Sequence, residues 1–338
     1  MNKLLVLPLI LAVSACSVSS TDGVATRGKN KDSVFGLTSA SDIKTEGSIS
    51  DIQNVVIGSF KVGFAESSKE TSKARGTVLG GAVSGGNSTG KVKLEGVTDQ
   101  LKQEITNAAY NDFVSKLKSA GYNVVDRSSL TSSDQYQKAS KENFPYLLDE
   151  SGLLSEYGKT QYFQPSAFGN TGIILMADMP SKSKGFGVLG APDMKMADYA
   201  QNKGAAVVSA TYLVDFAVAE GRAGISTSSM KVGQNLAITE GTIRFVKGGS
   251  STFNNGTPAL ILGQPVESGK EFGTIVDATS GGMKVAEEAA NVFTMVLGGG
   301  TSRSRSFSIK ADPSKYKAQS LEIISKTNAA LLSAPKKS

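Results

Sequence analysis

The chain has 338 residues, and its 39% hydrophobic content is enough to bury a core in one large domain or two modest ones. It contains no histidine, which excludes Ser-His-Asp and Cys-His catalytic sites and histidine-based zinc sites. The formal net charge of +6 is mild and spread along the chain, so it does not indicate nucleic-acid binding. We therefore expect a protein that is not an enzyme and that uses no metal, no cofactor and no nucleic-acid partner.

The first 15 residues have the pattern of a signal peptide that ends directly before the single cysteine of the chain. Lys3 gives a positive start, Leu4–Val13 is an apolar run, and the small pair Ser14-Ala15 precedes Cys16. This arrangement resembles the bacterial lipobox. The resemblance implies cleavage before Cys16, a diacylglycerol group on its sulfur and an acyl chain such as palmitate on the new amino terminus. The alternative is a general secretory peptide in which Cys16 is incidental.

The apolar run is too short to cross a bilayer, which takes about 20 residues. Two or three acyl chains would anchor the protein stably instead. Ser17 and Val18 directly follow Cys16, with no aspartate at either position, and by analogy with other lipoproteins this favours the outer membrane, with the protein on its periplasmic face. Residues 16–44 are rich in serine, threonine, glycine and charged residues and predict a flexible tether. The folded part is expected over residues 45–334.

A glycine-rich segment over residues 66–97 follows the first predicted strand, Ile52–Phe60. It predicts a hairpin or a mobile loop. Residues 85–91 match the phosphate-loop pattern GxxxxGK, but Val92 stands where a magnesium-binding serine or threonine belongs, and the residues after it alternate like a strand. We therefore expect a hairpin tip and no nucleotide. Because so long a connection is usually functional or disordered, its basic residues Arg75 and Lys91 are expected to contact a neighbouring subunit.

A helix is predicted to begin at Thr98 or Asp99, because apolar residues then recur every four positions. Gly121 follows as a helix-ending residue, and residues 122–127 predict a strand. Strand, helix and strand in this order predict an α/β fold with a mixed sheet, flanking helices and a single globular domain. Asp126 and Arg127 end the strand, where we expect a surface ion pair and two further candidate assembly residues. The apolar stripe is Leu101, Ile105, Ala109, Phe113 and Leu117.

The rest of the chain predicts further strands and helices. Residues 131–164 are polar and aromatic-rich, which is typical of short helices and loops. Asp193, Asp198 and Asp215 lie near element ends, but no calcium-loop spacing joins them. The predicted strands are 173–177, 205–220, 235–247 and 258–266, and the predicted helices are 197–201, 283–297 and one that begins at Pro313.

Two stretches resemble the curli-secretion-channel lipoprotein family. In residues 116–130 a helix leads to a strand ending Val-Val-Asp-Arg and then to Leu130, and in residues 203–212 a Gly-Ala pair opens a long strand. The lipobox and the early strand agree in order and spacing. The resemblance implies an oligomeric outer-membrane lipoprotein with a role in protein transport. The chain is longer than the family pattern around residues 144–168, and its hairpin candidates, 77–97 and 253–272, do not alternate cleanly. A ring or adaptor subunit is therefore expected rather than a pore.

Two leading functions remain open at this point, and a carboxylate-based hydrolase is kept as a third. The first is a non-enzymatic outer-membrane lipoprotein that works as an oligomeric subunit or adaptor of an envelope secretion or appendage-assembly machine. Its partners would be membrane lipid through the acylated Cys16, further copies of itself and proteins of that machine. The alternative is a periplasmic lipoprotein regulator that binds a cell-wall synthase or remodelling enzyme. A large discrete ring would favour the first function, and a monomer would favour the second.

Overall fold

Strands dominate the fold, and five helices flank them within the residues that the structure describes. The computed structural model describes residues 43–73, 87–149, 158–178, 191–223, 227–250, 257–279, 284–285, 292–298 and 303–334. Its strands are β1 (Ile43–Glu46), β2 (Asn54–Ala65), β3 (Ser67–Lys73), β4 (Asn87–Glu95), β5 (Asn123–Val125), β6 (Glu142–Asn143), β7 (Tyr146–Asp149), β8 (Lys159–Phe163), β9 (Thr171–Gly172), β10 (Ala206–Ala223), β11 (Thr227–Val246), β12 (Ala259–Leu262), β13 (Val266–Glu267), β14 (Gly273–Asp277), β15 (Lys284–Val285), β16 (Val292–Gly298) and β17 (Arg303–Ala311). Its helices are α1 (Asp99–Ser119), α2 (Ser128–Thr131), α3 (Asp134–Lys138), α4 (Ala191–Lys203) and α5 (Pro313–Leu332).

The strands form two main sheets. The central sheet has ten strands in the order β1-β12-β11-β10-β2-β8-β7, with β5 beside β2 and with β13 and β16 beside β11. The second sheet has five strands in the order β15-β14-β17-β4-β3, and β6 and β9 form a small pair. Parallel and antiparallel pairings occur in both main sheets. The predicted fold class, a mixed sheet with flanking helices in a single α/β domain, is confirmed.

The unit β2–α1–β5 follows directly from local sequence signals. The side chain of Thr98 caps α1 by accepting a hydrogen bond from the amide of Leu101 at 3.2 Å. The predicted stripe faces inward: Leu101 packs against the core, and its other four residues are buried. Gly121 takes a φ of +86°, which lets the chain turn out of the helix and enter β5 parallel to β2.

Helix α5 lies beside α1 on the same face of the central sheet. Asp312 caps it by accepting hydrogen bonds from the amides of Ser314 and Lys315 at 2.9 and 3.0 Å, and Pro313 opens its first turn as predicted. The main hydrophobic core lies between these helices and the sheet. At its centre the ring of Phe60 meets Phe113 and Tyr212, with centroids 5.4 and 5.7 Å apart.

A smaller core covers the opposite face of the central sheet. Val56, Val207 and Val246 point to this side from three adjacent strands. Helices α2, α3 and α4 and the irregular segment 173–178 pack over them. The side chains that they contribute include Leu130, Tyr136, Ile173, Leu175, Met196 and Tyr199.

Two predicted elements are wrong, and residues 131–164, predicted as short helices and loops, also contain the strands β6, β7 and β8. Residues 173–177 do not form a strand: β9 ends at Gly172, and the chain continues irregularly into a 3₁₀ turn, Met176–Asp178. Ile173, Ile174 and Leu175 are still buried, although the segment does not pair with the sheet. The helix predicted over residues 283–297 is also wrong: where the structure describes this range, it has the strands β15 and β16 instead, and β16 pairs with the first half of β11 over seven residues.

The folded part begins slightly earlier than predicted. Ile43 and Lys44, the last residues of the predicted tether, already belong to β1, which pairs with β12 from Ile43 opposite Leu262. Pairing with β12 fixes these residues, although their composition resembles the polar stretch before them. None of the described helices is long and apolar enough to span a membrane.

Candidate functional site

The middle of β2 carries a fully buried lysine. Lys61 has no solvent exposure, and Ser59 lies two residues before it on the same side of the strand. Ser209 of β10 is the register partner of Ser59, and Arg244 of β11 is the register partner of Ser209. The register of three adjacent strands therefore brings four polar side chains together on the face that the smaller core covers.

Asp178 completes this group from the 3₁₀ turn above the sheet. The Nζ atom of Lys61 donates to Oδ2 of Asp178 at 2.9 Å and to Oγ of Ser59 at 2.9 Å. The hydroxyl of Ser209 donates to the same Oδ2 atom at 2.5 Å, and Nε of Arg244 lies 3.6 Å from Oδ1. We call Ser59, Lys61, Asp178, Ser209 and Arg244 the buried lysine cluster. In it, two cations share one carboxylate away from water.

A serine beside a lysine is one of the arrangements that support nucleophilic catalysis. In this cluster Lys61 donates its hydrogen bonds, and neither serine donates a hydrogen bond to Lys61. Ser59 donates to the carbonyl oxygen of Ile173 at 3.1 Å, and Ser209 donates to Asp178. The two serines are only 3% and 1% exposed, so a substrate cannot reach them in this conformation. The geometry supports a structural role, which is to fix the segment 173–178 onto the sheet.

The expected ion pair between Asp126 and Arg127 is wrong. Asp126 accepts a hydrogen bond from the amide of Ser128 at 2.7 Å, and the hydrogen bonds from Ser128 hold its pKa below the usual value. Arg127 turns inward, stacks over the ring of Phe168 at 3.7 Å and donates to the hydroxyl of Tyr136 at 2.9 Å. Arg127, the arginine of the Val-Val-Asp-Arg motif, thus joins the end of β5 to Tyr136 and Phe168 of its own chain.

Lys91 lies in β4, and the chain continues after it as a strand to Glu95. A phosphate-binding loop would require a helix at this point. The hairpin predicted over residues 66–97 is confirmed for β3 and β4, which pair in antiparallel register from Ser67 opposite Lys93 to Lys73 opposite Asn87. Cys16 and Arg75 lie outside the described residues.

The three aspartates considered for calcium serve the backbone or lie at the surface. Asp193 accepts a hydrogen bond from the amide of Met176 at 3.1 Å. Asp215 accepts from the amides of Phe216 and Ala217 at 2.7 and 3.4 Å, where the register of β10 shifts. Asp198 is exposed. Over the described residues, no three histidine, cysteine, aspartate or glutamate side chains approach closely enough to hold a metal ion.

A second polar group joins α1 to α5. Asp112 accepts hydrogen bonds from Ser325 at 3.1 Å and from Asn328 at 2.7 Å, and it also forms an ion pair with Lys116. Burial tends to raise the pKa of Asp112, but the hydrogen bonds from Lys116, Asn328 and Ser325 together hold it below its usual value. Burial, with a smaller contribution from Asp112, raises the pKa of Tyr212 well above 10. These contacts favour a charged Asp112 between the helices.

A shallow cavity of about 400 Å³ lies where β2 and β10 begin. Its lining includes Gln53, Asn54 and Gln201, and the ion pair of Lys247 with Asp51 at 2.9 Å crosses part of its wall. Ligands of open α/β sheets usually bind at the carboxyl ends of parallel strands. This cavity is at the amino ends, and its lining contains no group of catalytic side chains.

Comparison with known proteins does not identify the chain: no family model, no curated protein and no solved structure matches it. The buried lysine cluster was not predicted from the sequence, although one signal was present. Lys61 is the one charged residue of the largely apolar strand β2, and a buried charge needs a partner. That partner, Asp178, is 117 residues away, so only the folded chain reveals it.

Proposed function

We propose that this protein is a non-enzymatic outer-membrane lipoprotein, anchored through Cys16, that works as an oligomeric subunit or adaptor of an envelope secretion or appendage-assembly machine. The observation that carries the proposal is that both sheets finish in strands that pair with only one other described strand, β7 with β8 and β3 with β4. β7 ends the central sheet, and β3 ends the second sheet. An end strand offers backbone N–H and C=O groups to another chain, and many assemblies use this kind of strand addition.

The β7 edge is the better candidate for contact between subunits. Leu147 lies in this four-residue strand and is 52% exposed. Leu147 and Met194 are the large hydrophobic side chains that lie exposed within the described residues. An apolar side chain on an open edge favours pairing with a second chain, because strand pairing and apolar burial then act together.

The polar groups support the non-enzymatic part of the proposal. The serines of the buried lysine cluster are covered, Asp112 joins two helices, and Arg127 joins the end of β5 to α3. Each of these groups therefore holds the fold together. The lipobox sequence before Cys16 supports the membrane anchor, and the missing histidine removes the commonest general base.

The test is extraction of the protein from outer membranes in mild detergent, followed by measurement of its mass. A discrete ring supports the proposal, and a monomer would favour the regulator of a cell-wall enzyme instead. Leu147→Lys should weaken the ring, because it places a charge on the pairing edge. Met194→Lys is the matched control, since it adds the same charge at an exposed methionine on α4. Equal ring content in both variants would exclude the β7 edge as the interface.

A further inference from the structure

One face of the second sheet packs into the main core; the other face is exposed at Lys91 and Lys93 of β4 and at Lys310 of β17, and is buried at Ser308 and its register partner Val276. Along β4 and β17 the inward positions carry Val92, Leu94, Phe307 and Ile309, all of which are buried in the main core. Alternate residues point to the opposite side of a strand. The positions between these apolar residues therefore form the outer face of the sheet.

This outer face carries four lysines, Lys69, Lys91, Lys93 and Lys310, which we call the lysine face. Lys69 of β3 is the direct register partner of Lys91 of β4. Directly opposed side chains have Cβ atoms about 5 Å apart. Lys93 follows two residues later, about 7 Å further along the same side of β4, and Lys310 lies on the adjacent strand β17. The four ammonium groups therefore share one small surface.

The lysine face carries one described negative charge against four positive ones. Glu95 is that acidic residue; it is the register partner of Lys310 and accepts a hydrogen bond from Ser308 at 2.9 Å. None of the four lysines forms an ion pair with a described side chain. Lysines elsewhere do: Lys102 pairs with Glu66 at 2.6 Å, and Lys270 pairs with Glu322 at 2.7 Å. Like charges opposed across two strands destabilise a sheet, so an external anion would relieve this repulsion.

We propose that the lysine face lies against the anionic head groups of a phospholipid membrane. A leaflet is an array of phosphates, and the lysine face places several ammonium groups side by side, so the charges are complementary. The proposal extends the lipid anchor of the proposed function: the chain between Cys16 and Ile43 can span at most about 95 Å, which keeps the domain near the surface. Each lysine near an anionic leaflet strengthens binding by roughly a factor of five.

The test measures vesicle binding without the acyl anchor. The full chain carrying Cys16→Ser is floated with phosphatidylcholine vesicles and with vesicles that also contain phosphatidylglycerol, at low and high salt. Lys91→Gln with Lys93→Gln should weaken binding to the anionic vesicles about thirty-fold. The control, Lys118→Gln with Lys315→Gln, removes two exposed charges from α1 and α5 and should leave binding nearly unchanged. High salt should reduce the binding of the parent chain to the level on neutral vesicles.

Three results would overturn the proposal. The first is equal loss in the two double variants, which would show a response to net charge alone. The second is binding that does not depend on phosphatidylglycerol. The third is a double variant, Lys91→Gln with Lys93→Gln, that loses binding to an acidic protein or polysaccharide but retains vesicle binding, which would identify a different partner.

A stability measurement is a separate check. Lys91→Gln should keep or raise the unfolding midpoint, and a lower midpoint would show that the lysine stabilises the fold instead. Because the probe carries no acyl chain, failed lipidation of the wild-type protein is a separate result.

Discussion

Replacing Asp178 with asparagine should destabilise the protein by about 3 kcal/mol. Breaking a buried ion pair by removing one partner typically costs about 3–5 kcal/mol, because the other charge stays buried and uncompensated. The side chains of Lys61 and Asp178 are 0% and 1% exposed, and their charged atoms are 2.9 Å apart. After the change the ammonium group keeps the hydroxyl of Ser59 at 2.9 Å and the more distant one of Ser209 at 3.5 Å. The lower end of the range is expected, because the asparagine oxygen can still accept one hydrogen bond.

The assay is urea unfolding of the wild type, the two single variants and the double variant Lys61→Met with Asp178→Asn. With a slope of about 3 kcal/mol per molar urea, the loss in Asp178→Asn lowers the midpoint by about 1 M. The double variant should be more stable than Asp178→Asn, because methionine removes the fully buried ammonium group and leaves only Arg244, whose side chain is 14% exposed, without the carboxylate. The difference from additivity gives the coupling energy of the pair, expected at about 1–3 kcal/mol.

A matched control comes from the exposed pair of Lys138 with Asp134 on α3. Their atoms are 3.1 Å apart, nearly as close as in the buried pair, but the side chains are 67% and 83% exposed. Asp134→Asn should change the free energy of unfolding by less than about 1 kcal/mol, since solvent screens the pair. The reasoning is refuted if Asp178→Asn unfolds within about 0.5 kcal/mol of the wild type, or if the double variant is no more stable than Asp178→Asn.

Three further predictions follow from the anchor, the first helix and the helix interface. Cys16→Ser should abolish acylation, so labelled palmitate should be absent from the variant, and retained label would contradict the lipobox. Leu117→Asp should cost several kcal/mol, because it buries an unpaired charge on a side chain that is 0% exposed; thermal unfolding like that of the wild type would mean that the stripe is not core. The lowered pKa of Asp112 stabilises the fold above about pH 4, the unfolded value, and this stabilisation is lost as pH falls through the folded value. The stability difference between the wild type and Asp112→Asn should therefore shrink on acidification, and a difference that stays constant down to pH values below this window would reject that assignment.

Much of the fold could be read from local sequence signals. The helix α1 shows its cap at Thr98, its apolar stripe and its glycine at position 121, and all three lie where they were predicted. The same holds for the long apolar strands β2 and β10. These signals work because capping and side-chain periodicity depend on residues a few positions apart.

The sequence by itself also determined the lipobox pattern, the absence of histidine and the hairpin formed by β3 and β4. Tertiary contacts decided the rest. Residues 292–298 became a strand because β11 offers a partner over seven residues, and short apolar runs fit either a helix or a strand. Residues 173–177 lie outside the sheet. The carbonyl oxygen of Ile173 accepts a hydrogen bond from the hydroxyl of Ser59, and the amide of Met176 donates one to Asp193. The pairing of Lys61 with Asp178 depends on strand register and on a turn that is 117 residues away in sequence. No pattern of neighbouring residues predicts a contact over that separation.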